Sequence, residues 1–296
     1  MKNSFRHAEN FWLAIRIGGF ALLAALIAAC VRNPYADTNK LYRAQAKVLA
    51  RQLRAQPTLL GDSLPAPPYW VGTSNFNLRK PNYVIIHHTA QDSTAQTIKT
   101  FTLTKTQVSA HYVIGRDGQT YHMLNDYLRA WHGGVARWGS ISDINSVSIG
   151  IELDNNGKEP FQEAQIASLL KVLAGLKRTY NIPTANFIGH GDIAPVRKSD
   201  PSAQFPWARL AARGFGLWYE ASVLADTTAA PFATDSLGQP GPGLTPREAL
   251  RIIGYDTQDL AAATVAFKRH FVPTDLSPAL TENDRRILYA IYRKAL

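Results

Sequence analysis

Within thirteen residues, "GHGDIAPVRKSDP" (189–201) gathers His190, Asp192, Arg197, Lys198 and Asp200. Pro195 and Pro201 keep the stretch from being an ordinary helix, because proline lacks the N–H that a helix interior uses and crowds the preceding turn. Ionisable groups crowded onto an irregular segment need partners, and two other stretches supply them. His87 and His88 end the apolar run "NYVIIHH", and Glu152 lies in "SVSIGIEL". Two histidines and a carboxylate with an open fourth position match a catalytic zinc site. The competing reading is a set of hydrogen-bonded histidines and a solvated carboxylate. No short-spaced motif such as H-E-x-x-H decides between them.

These residues must be held by regular elements, and the patterns around them are those of an α/β domain. "NYVIIHH" reads as a buried strand whose two terminal histidines point to opposite faces, so at most one serves a given cleft. In "SVSIGIEL", alternation puts Val147, Ile149, Ile151 and Leu153 on one face, with Ser148, Gly150 and Glu152 on the other. Two small residues beside a carboxylate leave room above it, as on the floor of a cleft; the alternative is a strand-end Glu exposed to solvent. "NFIGH" predicts a strand feeding His190. Pro201 pushes Asp200 towards extended geometry, and an extended 198–200 stretch points Lys198 and Asp200 the same way.

Between these stretches, Ser93 and Gln96 predict a capping box opening a helix with Ile98 and Phe101. "AHYVIGRDGQTYHML" predicts a hairpin around Asp117-Gly118. Ile166, Leu169, Leu170, Leu173, Leu176 and Tyr180 mark a long amphipathic helix. The sum is an α/β fold, a mixed central β-sheet flanked by helices, over residues 71–225. Residues 226–244, rich in Ala, Thr, Gly and Pro, read as a linker. Residues 245–296 then carry three helical patterns, the first opened by "TPRE", and make a small three-helix module.

The 296-residue chain carries a formal net charge of +10, which favours an acidic partner. Its N-terminus narrows the choice. Basic residues precede an uncharged run at 17–29 that is shorter than the roughly 20 residues a spanning helix needs. The single cysteine, Cys30, follows at once. The stretch resembles a bacterial lipoprotein signal, residues 1–29, cleaved before a lipidated Cys30. Its removal takes the net charge from +10 to +8, since it holds three cations and one anion. Export argues against nucleic acid as a partner. The expected location is a membrane, most simply the outer membrane facing the periplasm. Residues 30–70 then form an anchor, a basic helix at 35–56 and a tether. Lys40, Arg43, Lys47, Arg51 and Arg54 share an arc of about 80° on that helix. It is either a solvated charged face or a basic amphipathic helix lying on anionic head groups.

"YVIIHHTA", "SAHYVIGRDG", "AWHGG", "SIGIELDN" and "GHGDIAPVRKSDPSAQFPW" occur in the order found in type-2 N-acetylmuramoyl-L-alanine amidases, and the chain resembles that family over about residues 81–207. The family shares its fold with peptidoglycan recognition proteins and phage-type zinc amidases. The lipoprotein signal together with the helical tail resembles the AmiD-type anchored enzymes, and the tail resembles a peptidoglycan-binding module. The resemblance implies zinc held by His87, His190 and Asp200, with Glu152 and Lys198 catalytic and His88 structural. It implies hydrolysis of the amide between the lactyl group of N-acetylmuramic acid and L-alanine in peptidoglycan or muropeptides, by a monomer. Arg197 is a candidate for a stem-peptide carboxylate. His111, Trp131 and His132 are candidates for lining the groove. The rival classes are a non-catalytic peptidoglycan-binding lipoprotein on the same fold and a cell-wall zinc peptidase of other specificity.

Overall fold

In a computed structural model, residues 33–53, 80–225, 232 and 243–296 are described. The chain divides into two units, 1–76 and 77–296. The expected signal, Cys30, the tether and most of the linker lie outside the described residues, as does Arg54. No described helix is long and apolar enough to cross a membrane.

The first unit contributes one described helix, α1 (Ala36–Gln52), ending four residues before the expected limit. Leu41, Val48, Leu49 and Leu53 are all exposed along it.

The second unit is built on a five-stranded sheet of β1 (Tyr83–His88), β2 (Tyr112–Ile114), β3 (Thr120–His122), β4 (Ser148–Leu153) and β5 (Phe187–Gly189), in the order β3-β2-β4-β1-β5. β1 runs parallel to both β4 and β5, β2 is parallel to β4, and only the β2–β3 hairpin is antiparallel. Gly118, at φ 84°, supplies the left-handed turn residue of that hairpin. In the β1–β4 register His87 faces Glu152, so the two residues share a rung and a face.

Helix α2 (Thr94–Thr102) is capped by Ser93 Oγ, which accepts from Gln96 N–H. The long helix is α3 (Glu163–Tyr180), closed by Asn181 in the left-handed region. Its Ile166, Leu169, Leu173 and Leu176 pack on Val84, Ile86, Ile149, Ile151 and Leu153, the side chains of one sheet face. Burying large aliphatic side chains stabilises by roughly 1.5–3 kcal/mol each, so this interlocking face is a major stabiliser of the sheet.

The sheet's other face is shared. Ile85 and Ile188 pack with Trp138, Ile144 and Ile193 against the C-terminal helices α5 (Pro246–Ile253), α6 (Leu260–Phe271) and α7 (Glu282–Ala295). Thr245 and Glu248 form the full capping box that "TPRE" predicts. Leu250, Phe267, Leu288 and Ile291, each fully buried, belong to the same cluster as Ile85. The three-helix unit therefore completes the core of the sheet domain. The sequence pattern pointed to a separate module because it shows which helix faces are apolar, but not what covers them. A cavity of about 190 Å³ remains at this seam, lined by Tyr83, Phe187, Tyr255 and Phe271 among others.

Candidate metal centre

The shared face ends, along β1 and β4, in polar chemistry. β1 brings in His87, buried to 1% exposure, and β5 runs directly into His190, which opens the single helical turn α4 (His190–Ile193). The stretch 189–201 is thus helical for one turn before Pro195 and irregular after it. From the irregular part Asp200 folds back, and its carbonyl accepts from Gly191 N–H at 2.7 Å.

His87, His190 and Asp200 offer ligand atoms that all lie within 4.8 Å of one another. The two Nδ1 atoms are 2.9 Å apart, and Asp200 Oδ2 is 3.2 Å from the first and 3.1 Å from the second. Desolvation pushes His87 down to about 4, so its ring is neutral near pH 7 and one of its two nitrogens has an electron pair to donate. Burial raises the proton affinity of Asp200, but the adjoining His190 and His87 rings outweigh it and hold the carboxyl well below the usual carboxylate range. Two imidazole nitrogens and one carboxylate oxygen form the donor set of an open zinc site, and these residues fit that ion.

Glu152 stands beside them. Its Oε1 is 4.0 Å from His87 Nδ1, while Oε2 is buried with no hydrogen-bond partner among the described residues. Burial first, and then the charge of Asp200, push this carboxyl up to about 8; Lys198 pulls the other way. Lys198 is half-buried on the loop between α4 and Asp200.

The remaining candidates are placed differently. His88 points to the opposite side of β1 from His87 and accepts from Ser202 N–H. Trp131 is 50% exposed. Arg197 is exposed but already committed: its Nη2 donates to Gly133 O at 2.7 Å and to Val135 O at 2.8 Å. His111 is fully buried, with Nε2 donating to Leu128 O and Nδ1 accepting from Gly150 N–H. Both its nitrogens are used by the backbone, which leaves none for a groove. His132 is buried behind His87, with Nδ1 3.1 Å from His87 Nε2. It fills the space that Ser148 and Gly150 seemed to leave open. A Cβ on Gly150 would sit 2.4 Å from the His132 ring, so the small residues make room for that imidazole rather than for a ligand.

Sequence reasoning missed Asp192. It is buried and accepts three hydrogen bonds: from Gly189 N–H at 2.7 Å, and from Tyr255 Oη–H and His270 Nδ1–H, both at 2.8 Å. It ties the turn carrying His190 to the C-terminal helices. A carboxylate two residues from a ligand histidine, in a stretch with no regular pattern, was the available signal.

A candidate metal centre on a mixed α/β sheet suits a metal-dependent hydrolase, and comparison with known proteins makes the class specific. Residues 77–203 match the family model described as N-acetylmuramoyl-L-alanine amidase. The chain is 33% identical over 220 residues to N-acetylmuramoyl-L-alanine amidase AmiD of Escherichia coli (strain K12), spanning 64% of this chain and 75% of that protein. The E. coli AmiD structure, solved with anhydro-N-acetylmuramic acid-L-Ala-D-gamma-Glu-L-Lys, superposes with a TM-score of 0.64 at 27% identity, covering 75% of this chain and 93% of AmiD. AmpDh3 of Pseudomonas aeruginosa gives a TM-score of 0.66 at 28% identity, covering 78% and 98%. The chain belongs to the N-acetylmuramoyl-L-alanine amidase family.

Proposed function

We propose that this amidase holds zinc through His87, His190 and Asp200 and hydrolyses the amide between the lactyl group of N-acetylmuramic acid and L-alanine of peptidoglycan or its muropeptides. The observation that carries the mechanism is the unpartnered, buried Oε2 of Glu152 next to the converging ligand atoms. When bound, zinc supplies Lewis acidity that polarises an amide carbonyl and acidifies water. Glu152, held in a dry site where its proton affinity is raised, takes the proton of the attacking water and delivers it to the departing amine. Lys198 offers a positive charge to the developing oxyanion, whose stabilisation by one donor is commonly worth about 3 kcal/mol. Trp131, half exposed, is the candidate to line the substrate groove.

The lipoprotein reading belongs to this proposal. An uncharged run directly before the lone Cys30 supports lipidation there and attachment to a membrane, the outer membrane facing the periplasm. The enzyme works there on a wall that is itself fixed in place, in turnover or recycling.

Digestion of purified peptidoglycan, with the products identified by mass spectrometry, tests the activity. Free stem peptides beginning at L-alanine are expected. Cuts within the peptide would make the protein a peptidase, and no release would make it a binder.

A further inference from the structure

The segment "AWHGG" does more than border the centre. Ser148 Oγ donates its single proton to Ile144 O at 2.7 Å, so towards His132 Nε2, 3.2 Å away, it is an acceptor only. His132 therefore carries its proton on Nε2 and presents a lone pair at Nδ1. That lone pair receives the Nε2–H of His87 at 3.1 Å, which leaves His87 Nδ1 bare on the side of His190 and Asp200. One residue further on, Gly133 O accepts from His190 Nε2 at 3.0 Å. A carbonyl only accepts, so His190 too carries its proton on Nε2 and is bare at Nδ1. Arg197 Nη2 lies 3.4 Å from the same nitrogen, but spends its protons on Gly133 O and Val135 O at shorter range. Both acceptors sit on consecutive residues whose position is itself fixed. The Asn145 Oδ1 accepts from His132 N–H at 3.1 Å and from Gly133 N–H at 2.8 Å.

We propose that the His132–Gly133 dipeptide, pinned by Asn145 and ordered by Ser148, is the positioning element that sets both ligand histidines in the tautomer with a bare Nδ1. The inference rests on the zinc reading above and deepens it. One short segment performs, for two ligands from different elements, the orientation that outer partners of metal-bound histidines usually perform singly. It explains why position 150 is glycine, since the His132 ring crosses directly over it.

The test uses the full chain with zinc, with two readouts other than activity. Long-range nitrogen–proton NMR spectra of histidine-labelled, metal-free protein at pH 8 should show His87 and His190 protonated at Nε2. A chelator-competition titration should show His132→Leu, which lacks the acceptor, binding zinc about 10–100-fold more weakly, the range expected for outer partners. His132→Gln, whose side-chain oxygen can accept the same proton, should recover most of that loss. Ser148→Ala should let the His132 ring exchange tautomers and shift the His87 signals. Wild-type affinity in a folded His132→Leu protein, or a proton on Nδ1 of either ligand in the wild type, overturns the inference. If the leucine variant does not fold, the wild-type and Ser148→Ala spectra decide. Failure of the wild type to bind zinc would overturn the zinc reading instead, with the tautomers still legible in the metal-free spectrum.

Discussion

His270 Nδ1 donates to Asp192 Oδ2 at 2.8 Å, joining the second helix of the C-terminal unit to the turn that carries His190. His270 stacks on Trp207 at a centroid separation of 3.8 Å, and Tyr255 donates to the other Asp192 oxygen. A tail that reaches the ligand turn through a buried carboxylate, and shares a hydrophobic cluster with Ile85 and Ile188, is a wall of the domain. Cutting the chain after Ala225 should therefore lower the melting temperature sharply and impair cleavage of soluble muropeptides and intact sacculi alike. A truncated protein with unchanged melting and unchanged turnover of a soluble substrate would show that the tail is separable after all.

The Tyr255→Phe variant probes the same link more gently. It removes one hydrogen bond to a buried charge, an interaction worth about 1.5–3 kcal/mol, and keeps the ring packing against Trp138. Chemical denaturation should show a loss in that range with an unchanged slope. No loss would mean that the hydroxyl is idle.

For the ligand set, His190→Ala should abolish stoichiometric zinc. Elemental analysis of the purified variant checks this directly. Full occupancy would exclude His190 from the set.

Glu152→Gln should keep zinc and lose about 10²–10⁴-fold in kcat, the span typical of a general acid–base group. Because the amide is nearly isosteric and uncharged, melting of the metal-free protein should hold or rise. An undiminished rate with zinc present would reduce Glu152 to a buried structural residue.

Stability of the metal-free protein should peak near pH 6.5. Burial lowers His87 from 6.5 to about 4, and lowers His88, His111 and His132 as well. The unfolded chain then binds protons that the folded one refuses, so stability is present above 6.5 and drains as pH falls towards about 4. Glu152 acts in the opposite direction. Raised from 4.5 to about 8, it stabilises fully below 4.5, and that contribution is lost as pH rises through 8. Between 4.5 and 6.5 the several histidines outweigh the single glutamate, and above that window Glu152 remains alone. Melting curves across pH should show a dome, with Glu152→Gln flattening its alkaline side and steepening the acid limb above 4.5. A flat acid limb would contradict the burial of these histidines.

Much of this molecule is legible in its sequence. The run from Tyr83 to His88, the alternation through β4 and the apolar spacing of α3 each carry their periodicity in consecutive residues. His87, His190 and Asp200 were named as a set through the family resemblance; residue types and spacing alone left the reading of hydrogen-bonded histidines open beside it. The roles of His132 and Asp192 were not legible. Each makes its decisive contacts with residues 15 or more positions away, His87 and Ser148 for one, Tyr255 and His270 for the other, and no local pattern encodes such a pairing. The small residues of β4 were seen, but their meaning depended on which ring lay across them. The three helices of the tail were legible but their partner was not: an apolar helix face declares that it is buried, never by what.

The shared rung of His87 and Glu152 gives the cleft two unlike jaws. One is a pair of neighbouring parallel strands, whose separation of about 4.8 Å is dictated by backbone hydrogen bonding and is therefore nearly inextensible. The other is the loop from Ala194 to Asp200, which carries Lys198 and has no ladder to hold its span. Insertions or substitutions there can re-aim the cation and reshape the entrance while the distance from Glu152 to His87 stays put. Divergence in substrate preference among proteins built this way has a cheap route through the loop and an expensive one through the sheet.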